Sequence, residues 1–462
     1  MNNLEYKREN KHSCAVVFAQ FESSPENFVT SVQEFLNNLS ITQALIICHV
    51  CLQQPWSENS QQLEIAYLLS KQLQVEKISI SNKQELCQQK TGDNFIINNK
   101  TITVNFDEFY YAQLEKQFNE LPFLFSLNEP FFLDPVHIPK PWGQEIWYTG
   151  VEKRGVSKIS SAHSKSSIPV PWFLAALPER MLGEKYASKN LVLIKILDPL
   201  PQEVVGDLYY ELHQEKNEVY VVTDISAKVG QIKMGISQEK IEQYKNNIPQ
   251  LKHEFLEAIE KYEVIRRKID AIEEKNKIPQ ELIEQELLLR KNMDEFAGYL
   301  NLQIGDVIAV PILVPHALQH GVRVIEFQTP TYERLIISFA QKVLTQNHWD
   351  TKLALELMKA QAPRKEELQK LEQTEHYQVE LVCKFPDFYA VRVSLNSLRE
   401  YSLKKRNFYQ ILFLVNGICD LNLNGQIYSV TDGQCLFIPA CCSAVLSAQN
   451  DSTFLICAAE QF

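Results

Sequence analysis

The feature that most constrains this chain is a change of sequence pattern near Phe131. From there on, short apolar runs alternate with Gly, Pro and Asp, as in chains built from many short strands joined by turns. The pattern returns in residues 377–460, where Asn424-Gly425 is a hairpin signal. Strands bury their apolar faces by packing sheet against sheet, so we predict two successive β-barrels.

The first 125 residues follow a different rhythm. Apolar runs alternate with amphipathic stretches from residue 14 to residue 120, and QQLEIAYLLSKQL (61–73) is interpreted as one of the helices. A hairpin turning at Asn98-Asn99-Lys100 and a further helix follow. This βαβαβ order predicts a small α/β domain.

Two charged segments interrupt the β pattern. Residues 237–298 and 350–373 carry apolar residues at helical spacing, which predicts a helical insertion with a solvated charged face and a helical connector. The fold prediction is therefore mainly β, with two barrels, a helical insertion and an N-terminal α/β domain. The predicted domains are 1–125, 126–348, 349–376 and 377–462.

Charge and composition exclude several classes of partner. The net charge of −11 disfavours nucleic acid and anionic membranes. No apolar run approaches the roughly 20 residues of a membrane span, and the charged first residues do not resemble a signal peptide. The 10 cysteines are scattered, as in a reducing compartment. We expect a cytoplasmic protein that binds neither nucleic acid nor membrane.

Residues 206–218 (GDLYYELHQEKNE) place three potential metal ligands at strand spacing. Glu211 and His213 alternate along one predicted strand, so their side chains point to the same face. Glu218 follows a tight turn and is predicted to lie on the partner strand. The three side chains are expected to converge.

Residues 305–316 (GDVIAVPILVPH) resemble the second signature of cupin barrels in the spacing of Gly305, Pro311 and His316, and this resemblance implies that His316 is the fourth ligand. His320 is an alternative with poorer spacing. Two His and two carboxylates suit Zn²⁺, Fe²⁺, Mn²⁺ or Ni²⁺, and ligand type alone does not choose among them. In the second predicted barrel the same spacing ends at Ala444, so that barrel is expected to be metal-free and structural.

Together the two segments resemble the paired signatures of cupin barrels, which are double-stranded β-helices of the jelly-roll type. Four segments, one of which contains residues 305–316, resemble class I mannose-6-phosphate isomerases in order. They are LDPVHIPKPWGQEIWYTG (133–150), NLVLIKILDPL (190–200), GDVIAVPILVPHAL (305–318) and VRVIEFQTPTYERL (322–335). The resemblance covers roughly residues 128–345 and 377–460.

The resemblance implies a metal-dependent isomerase of a phosphosugar, with Zn²⁺ as the expected metal. Arg334 would then stabilise the enediolate, and Lys216 and Glu326 would handle the proton. Two departures fall at the site. Glu211 stands where the family has Gln, and Glu333 is an extra residue in the family's Thr-Tyr-Arg segment.

Two other functions stay open at this point. An Fe²⁺ cupin dioxygenase would use a similar ligand set, and a non-catalytic sugar-binding or regulatory protein would keep the fold alone. The sequence also leaves a homo-oligomer open.

Overall fold

The computed structural model describes most of the chain. The described residues are 5–8, 14–20, 25–53, 60–82, 90–91, 94–97, 100–103, 111–121, 123–127, 129–162, 166–201, 208–274, 277–340 and 348–461.

The N-terminal elements form a six-stranded sheet beside a small hairpin sheet. They are β1 (Glu5–Arg8), β2 (Cys14–Gln20), α1 (Pro25–Asn38), β3 (Gln43–Leu52), β4 (Gln61–Leu69), β5 (Val75–Asn82), β6 (Lys90–Thr91), β7 (Asn94–Ile97), β8 (Lys100–Thr103), α2 (Tyr111–Phe118) and β9 (Leu124–Ser126). Strands β2 and β3 are parallel and joined by α1, whereas β3, β4 and β5 are antiparallel neighbours.

Strand β4 corrects the helix predicted for residues 61–73. Leu63 and Ile65 are buried in one core cluster, and Ala66 and Leu68 are buried in another. A strand covered on both faces is a continuous apolar run, which sequence alone does not distinguish from a buried helix. The predicted hairpin is present, because β7 pairs with β8, while Asn98 and Asn99 lie outside the described residues.

The middle of the chain contains most of the helices. Its elements are β10 (Phe131–Asp134), β11 (Val136–Lys140), β12 (Gly143–Trp147), β13 (Val151–Glu152), β14 (Gly155–Val156), β15 (Lys158–Ser161), β16 (Ile168–Pro169), α3 (Val170–Ala176), α4 (Pro178–Leu182), β17 (Leu193–Pro199), β18 (Tyr210–Leu212), β19 (Glu218–Ile225), β20 (Gly230–Ile236), α5 (Gln238–Gln243), α6 (Ile248–Asp270), α7 (Gln280–Asp294), β21 (Ala297–Leu302), β22 (Val307–Val310), β23 (His316–Leu318), β24 (Val322–Gln328), β25 (Leu335–Ser338) and α8 (Thr351–Leu357).

Two sheets from this region form the first sheet pair. Their strand orders are β11-β12-β17-β24-β19-β22 and β21-β20-β23-β18-β25. Val222 and Val324 from one sheet share a core cluster with Ile232 and Leu318 from the other. This shared core shows that the two sheets pack face to face.

Helices α5, α6 and α7 fall within the segment predicted to be a helical insertion. The buried face of α6 includes Leu251, Phe255 and Ile259, spaced four residues apart. These side chains share a core cluster with Leu212 of β18 and Ile336 of β25. The insertion therefore covers the outer face of the five-stranded sheet.

The C-terminal elements are almost all strands. They are β26 (Lys370–Gln373), β27 (Tyr377–Lys384), β28 (Tyr389–Leu395), β29 (Glu400–Leu403), β30 (Gln410–Asn416), β31 (Ile418–Leu423), β32 (Gln426–Thr431), β33 (Cys435–Ile438), β34 (Ala444–Ala448) and β35 (Ser452–Ala458). Part of the predicted helical connector is strand β26, at the edge of a sheet.

These strands build the second sheet pair. Its sheets run β16-β15-β10-β33-β30-β35-β28-β27-β26 and β29-β34-β31-β32. Val393 and Leu414 of the nine-stranded sheet share a core with Leu421 and Leu446 of the four-stranded sheet. Three strands from before residue 170 belong to this sheet, so it spans the predicted boundary at residue 349.

One large core joins the regions. It contains Tyr67 of β4, Phe173 of α3, Phe327 of β24 and Phe413 of β30. The N-terminal sheet, the six-stranded sheet of the first sheet pair and the nine-stranded sheet are thus packed on each other through apolar faces. Among the described helices, none is long and apolar enough to cross a membrane.

Candidate functional site

The predicted metal ligands meet at one end of the first sheet pair. Glu211 of β18 lies directly opposite His316 of β23 in the ladder, and His213 follows one residue after β18 ends. A turn over residues 214–217 then carries the chain to β19, whose first residue is Glu218. Gly206 lies outside the described residues.

One part of that prediction is wrong. Glu218 was expected on the strand paired with β18, but β18 pairs with β23 and β25, and β19 lies in the facing sheet. The turn therefore crosses from one sheet to the other. The carboxylate reaches the same point from the opposite wall, which alternation along a single strand does not predict.

The side chains of the predicted ligands lie close together, and all but that of Glu211 are buried. One ligand atom from each of Glu211, His213 and His316 lies within 4.8 Å of the others. The Oε2 atom of Glu218 is 3.3 Å from Nε2 of both histidines. His213, Glu218 and His316 are each 2% exposed. His320 is also buried, but it is not part of this group.

Each histidine is held with one nitrogen facing the cluster. Nδ1 of His213 is 3.0 Å from the Glu333 carbonyl oxygen, and Nδ1 of His316 is 3.2 Å from that of Val314. A carbonyl oxygen can only accept, so these contacts select the tautomer with the proton on Nδ1. Burial lowers the pKa of His213, which favours the neutral ring.

The second nitrogen of each imidazole indicates whether the site suits a cation. Nε2 of His213 and Nε2 of His316 are buried and make no hydrogen bond to any described residue. The two imidazole lone pairs, beside the carboxylates of Glu211 and Glu218, form an electron-rich pocket that would suit a cation. The donor set, two imidazoles and two carboxylates, suits a divalent transition metal.

Two cations flank the ligands. Nζ of Lys216 is 2.5 Å from Oε1 of Glu218, and an Arg334 guanidinium nitrogen is 3.3 Å from Oε2 of Glu211. Burial alone would raise the pKa of Glu211, but the nearby positive charges together outweigh it and lower that pKa, with Arg334 as the largest contributor among them. Arg334 also lies over the ring of Tyr209 at 4.0 Å.

Arg334 does not lie on the strand that carries Glu326 and Gln328. Strand β24 ends at Gln328, and the next strand, β25, begins at Leu335 in the facing sheet. Arg334 therefore lies at the end of the segment that crosses between the sheets. It lines the same cleft as Glu326, although they do not share a strand.

Glu326 lies deep in the cleft, on the wall formed by the six-stranded sheet. It is opposite Lys195 in the β17–β24 ladder, and its Oε2 atom is 3.1 Å from Lys195 Nζ. Burial, together with the nearby negative charge of Glu218, raises the pKa of Glu326 well above its ordinary value. Its carboxyl group is thus disposed to hold a proton.

The sequence interpretation assigned no role to several charged residues of the cleft. Lys195 lines it, and a single lysine within the apolar run NLVLIKILDPL was the available signal. Lys140 pairs with Glu145 at 3.1 Å. Arg154, at the turn between β13 and β14, lies 5.1 Å from the ring of Trp147 and 4.5 Å from that of Tyr332.

No protein-family model and no curated protein matches this sequence. Solved structures do match its fold. Mannose 6-phosphate isomerase from Bacillus subtilis aligns with a TM-score of 0.51 at 13% identity, over 71% of this chain and 99% of that chain. A variant of phosphomannose isomerase from Salmonella typhimurium gives 0.55 at 14% identity, over 72% and 100%. A mannose 6-phosphate isomerase bound with zinc and yttrium gives 0.54 at 14% identity, over 72% and 100%. The chain therefore shares its fold with these isomerases, as a distant structural relative.

Proposed function

We propose that this protein is a metal-dependent aldose–ketose isomerase that acts on a sugar phosphate. The observation that carries the proposal concerns the Nε2 atoms of His213 and His316. Both face Glu218 and make no hydrogen bond to any described residue, and they lie beside a cleft lined with buried acids and cations. Shared fold with mannose 6-phosphate isomerases supports this reaction class. Each sheet pair is, in this proposal, a cupin-type barrel.

Glu211, His213, Glu218 and His316 would hold the metal, with Zn²⁺ as the first choice. When bound, a divalent metal polarises the oxygens of the sugar as a Lewis acid. The contacts from Glu333 and Val314 orient the two imidazoles for this task.

The protein's own side chains would handle the proton and the developing charge. The reaction moves a proton between C1 and C2 of the sugar through an enediol. Glu326, whose pKa is raised by burial, would give and take this proton, and Lys216 is the second candidate. Arg334, fixed between Glu211 and Tyr209, would stabilise the negative charge of the enediolate.

A phosphate group needs cations near the mouth of the cleft, because the net charge of the chain is negative. Lys140 and Arg154 line the same cleft as the ligands. The Arg154 side chain is 33% exposed and its guanidinium pairs with Glu152 at 2.8 Å, so an incoming phosphate would compete with that carboxylate. These residues favour a phosphorylated sugar over a neutral one.

The test is metal analysis combined with conversion of mannose 6-phosphate to fructose 6-phosphate. We expect about one bound transition metal per chain and a turnover number on the order of 1 to 10³ s⁻¹. Glu326→Gln should lower turnover by roughly 10²- to 10⁴-fold while metal is retained. Glu375→Gln, at a strongly exposed position, is the matched control.

A metal-loaded protein that is inactive on every common hexose phosphate would contradict the isomerase. The dioxygenase and the sugar-binding protein would then be the functions to test.

A further inference from the structure

Glu333 makes an unusual set of contacts with the turn that links the two ligand-bearing strands. Its carboxylate accepts hydrogen bonds from the backbone N–H groups of Gln214 at 3.0 and 3.1 Å, Glu215 at 3.2 Å and Lys216 at 3.4 Å. Its own carbonyl oxygen is 3.0 Å from Nδ1 of His213. One residue thus contacts four successive residues of the chain.

The contacted turn is the part of the site with the least support from secondary structure. Residues 214–217 lie between β18 and β19, where the chain leaves one sheet for the other. Three successive N–H groups directed at one carboxylate form an anion-binding turn, and hydrogen bonds to a charged acceptor are about twice as strong as neutral ones. Glu333 therefore supplies the acceptors that a strand ladder would supply elsewhere.

The ends of this turn carry two of the proposed ligands. His213 precedes it and Glu218 follows it, and the imidazole Nε2 lies 3.3 Å from the carboxylate Oε2. A shift of the turn would move one ligand relative to the other. The distance between the two ligand atoms thus depends on how firmly the turn is held.

We propose that Glu333 is a positioning residue for the metal site, in that its carbonyl orients the ring of His213 and its carboxylate fixes the turn leading to Glu218. The inference rests on the proposed function only through the identity of the four ligands. It concerns metal affinity and does not depend on which sugar is the substrate.

The same residue explains how the site accommodates an extra residue in the Thr331-Tyr332-Glu333-Arg334 segment. The additional side chain folds back onto the turn, and Arg334 still contacts Glu211 at 3.3 Å. The guanidinium lines the cleft.

Two substitutions and a matched control test this inference. Glu333→Ala removes the carboxylate, whereas Glu333→Gln keeps the size of the side chain but loses its charge and one acceptor. The control is Glu215→Gln, which removes the same charge from an exposed side chain in the same turn. Metal affinity is measured by competition with a chelator, using Zn²⁺ as the probe. Exchange of the amide hydrogens of residues 214–216 is measured in the metal-free protein.

We expect the dissociation constant for Zn²⁺ to rise roughly 10- to 100-fold in Glu333→Ala and less in Glu333→Gln. The amides of residues 214–216 should exchange faster in both variants, and Glu215→Gln should match the wild type in both measurements. If Glu333→Ala does not fold, the isosteric Glu333→Gln decides the question.

Unchanged Zn²⁺ affinity in a folded Glu333 variant would overturn this inference and leave the isomerase proposal intact. A wild-type protein that binds no transition metal would overturn both. The amide exchange rates would then still report whether the Glu333 contacts exist in solution.

Discussion

A turn with the same backbone conformation occurs in both sheet pairs, but it ends in a different residue in each. In the first pair, Gly305 and Leu313 have φ angles of 91° and 66°, and in the second Gly433 and Cys441 have φ angles of 81° and 62°. The residue that ends this turn is the first residue of a strand in both sheet pairs. It is His316 in the first pair and Ala444 in the second. The backbone conformation therefore does not depend on the ligand.

The correspondence extends to all four ligand positions. The ladder pair Glu211 and His316 corresponds to Leu403 and Ala444. Strand β19 begins at Glu218 opposite Val310, as β30 begins at Gln410 opposite Ile438. The spacing Glu211, His213, Glu218 is repeated by Leu403, Lys405 and Gln410.

The buried pair formed by Lys195 and Glu326 in the first sheet pair has an apolar counterpart in the second. Lys195 lies opposite Glu326 in the first sheet pair, and the corresponding ladder position in the second is Val391 opposite Ile456. The apolar version shows that this frame is filled without buried charges. Because buried charges cost stability, their concentration in the first pair indicates a functional site.

The largest effect should come from giving the first pair the residue of the second. If the proposed function holds, His316→Ala should reduce metal content from about one equivalent to near zero and abolish isomerisation, since the proposed four-ligand site loses a ligand. The converse change, Ala444→His, should add no metal, because Leu403 and Lys405 supply no ligands. Metal analysis of both variants tests this. A metal gained by Ala444→His, or kept by His316→Ala, would contradict the comparison.

Arg334→Ala should have the next largest effect. It removes the positive charge next to the site, so the turnover number should fall by roughly 10²-fold or more while the thermal midpoint changes little. Arg323→Ala is the control, since Arg323 pairs with Asp198 away from the ligands. Equal losses of activity in both variants, or a collapse of the thermal midpoint in Arg334→Ala, would assign Arg334 to folding.

The Lys195–Glu326 pair of the first sheet pair can be replaced by apolar side chains like those at the corresponding position of the second. The double variant Lys195→Val and Glu326→Ile should be inactive, yet as stable as wild type or more stable by about 1–4 kcal/mol, as for other buried pairs replaced by apolar side chains. Lys195→Val alone should be less stable than the double variant, because it leaves Glu326 buried without its partner. Urea denaturation of metal-free protein measures all three. A double variant that does not fold would show that the charges are structural.

The helical insertion is a further difference, because no described helix lies between β26 and β35. Glu286 of α7 accepts a hydrogen bond from Tyr262 at 3.0 Å, and burial raises its pKa. A raised folded pKa stabilises the fold at low pH, and that contribution is lost as the pH rises through it. Glu286→Gln should therefore gain stability relative to wild type as the pH rises above about 4.3. A constant difference between the two thermal midpoints would contradict this small effect.

Local spacing carried the sequence prediction of the ligand cluster. Glu211 and His213 share a face because strand side chains alternate, and His316 was identified from the Gly-Pro-His spacing. Alternation does not specify which strand is the neighbour, so Glu218 was assigned to the wrong sheet. The contribution of Glu333 was not predictable either, because it brings together residues more than 100 positions apart through one side chain.

Helix and strand were confused where both faces are covered. Residues 63–69 of that run are apolar except for Glu64, so the polar residues do not report a period, and pairing with β3 and β5 makes residues 61–69 a strand. The helices of the insertion were easier to predict, because their charged face and the residues Pro249 and Pro279 define them.

The nine-stranded sheet has a consequence for how the chain is made. Strand β10 is completed early in synthesis, but its ladder partner β33 is about 300 residues later, as Phe132 pairs with Leu436. At a synthesis rate of roughly 5–20 residues per second, one edge of β10 waits roughly 15 to 60 s for that partner. During this time Phe132, which packs against the core of the second sheet pair in the finished protein, has no C-terminal sheet to cover it. Newly made chains should therefore depend on chaperones until the last strands emerge, and nonsense mutations near the C-terminus should cause aggregation.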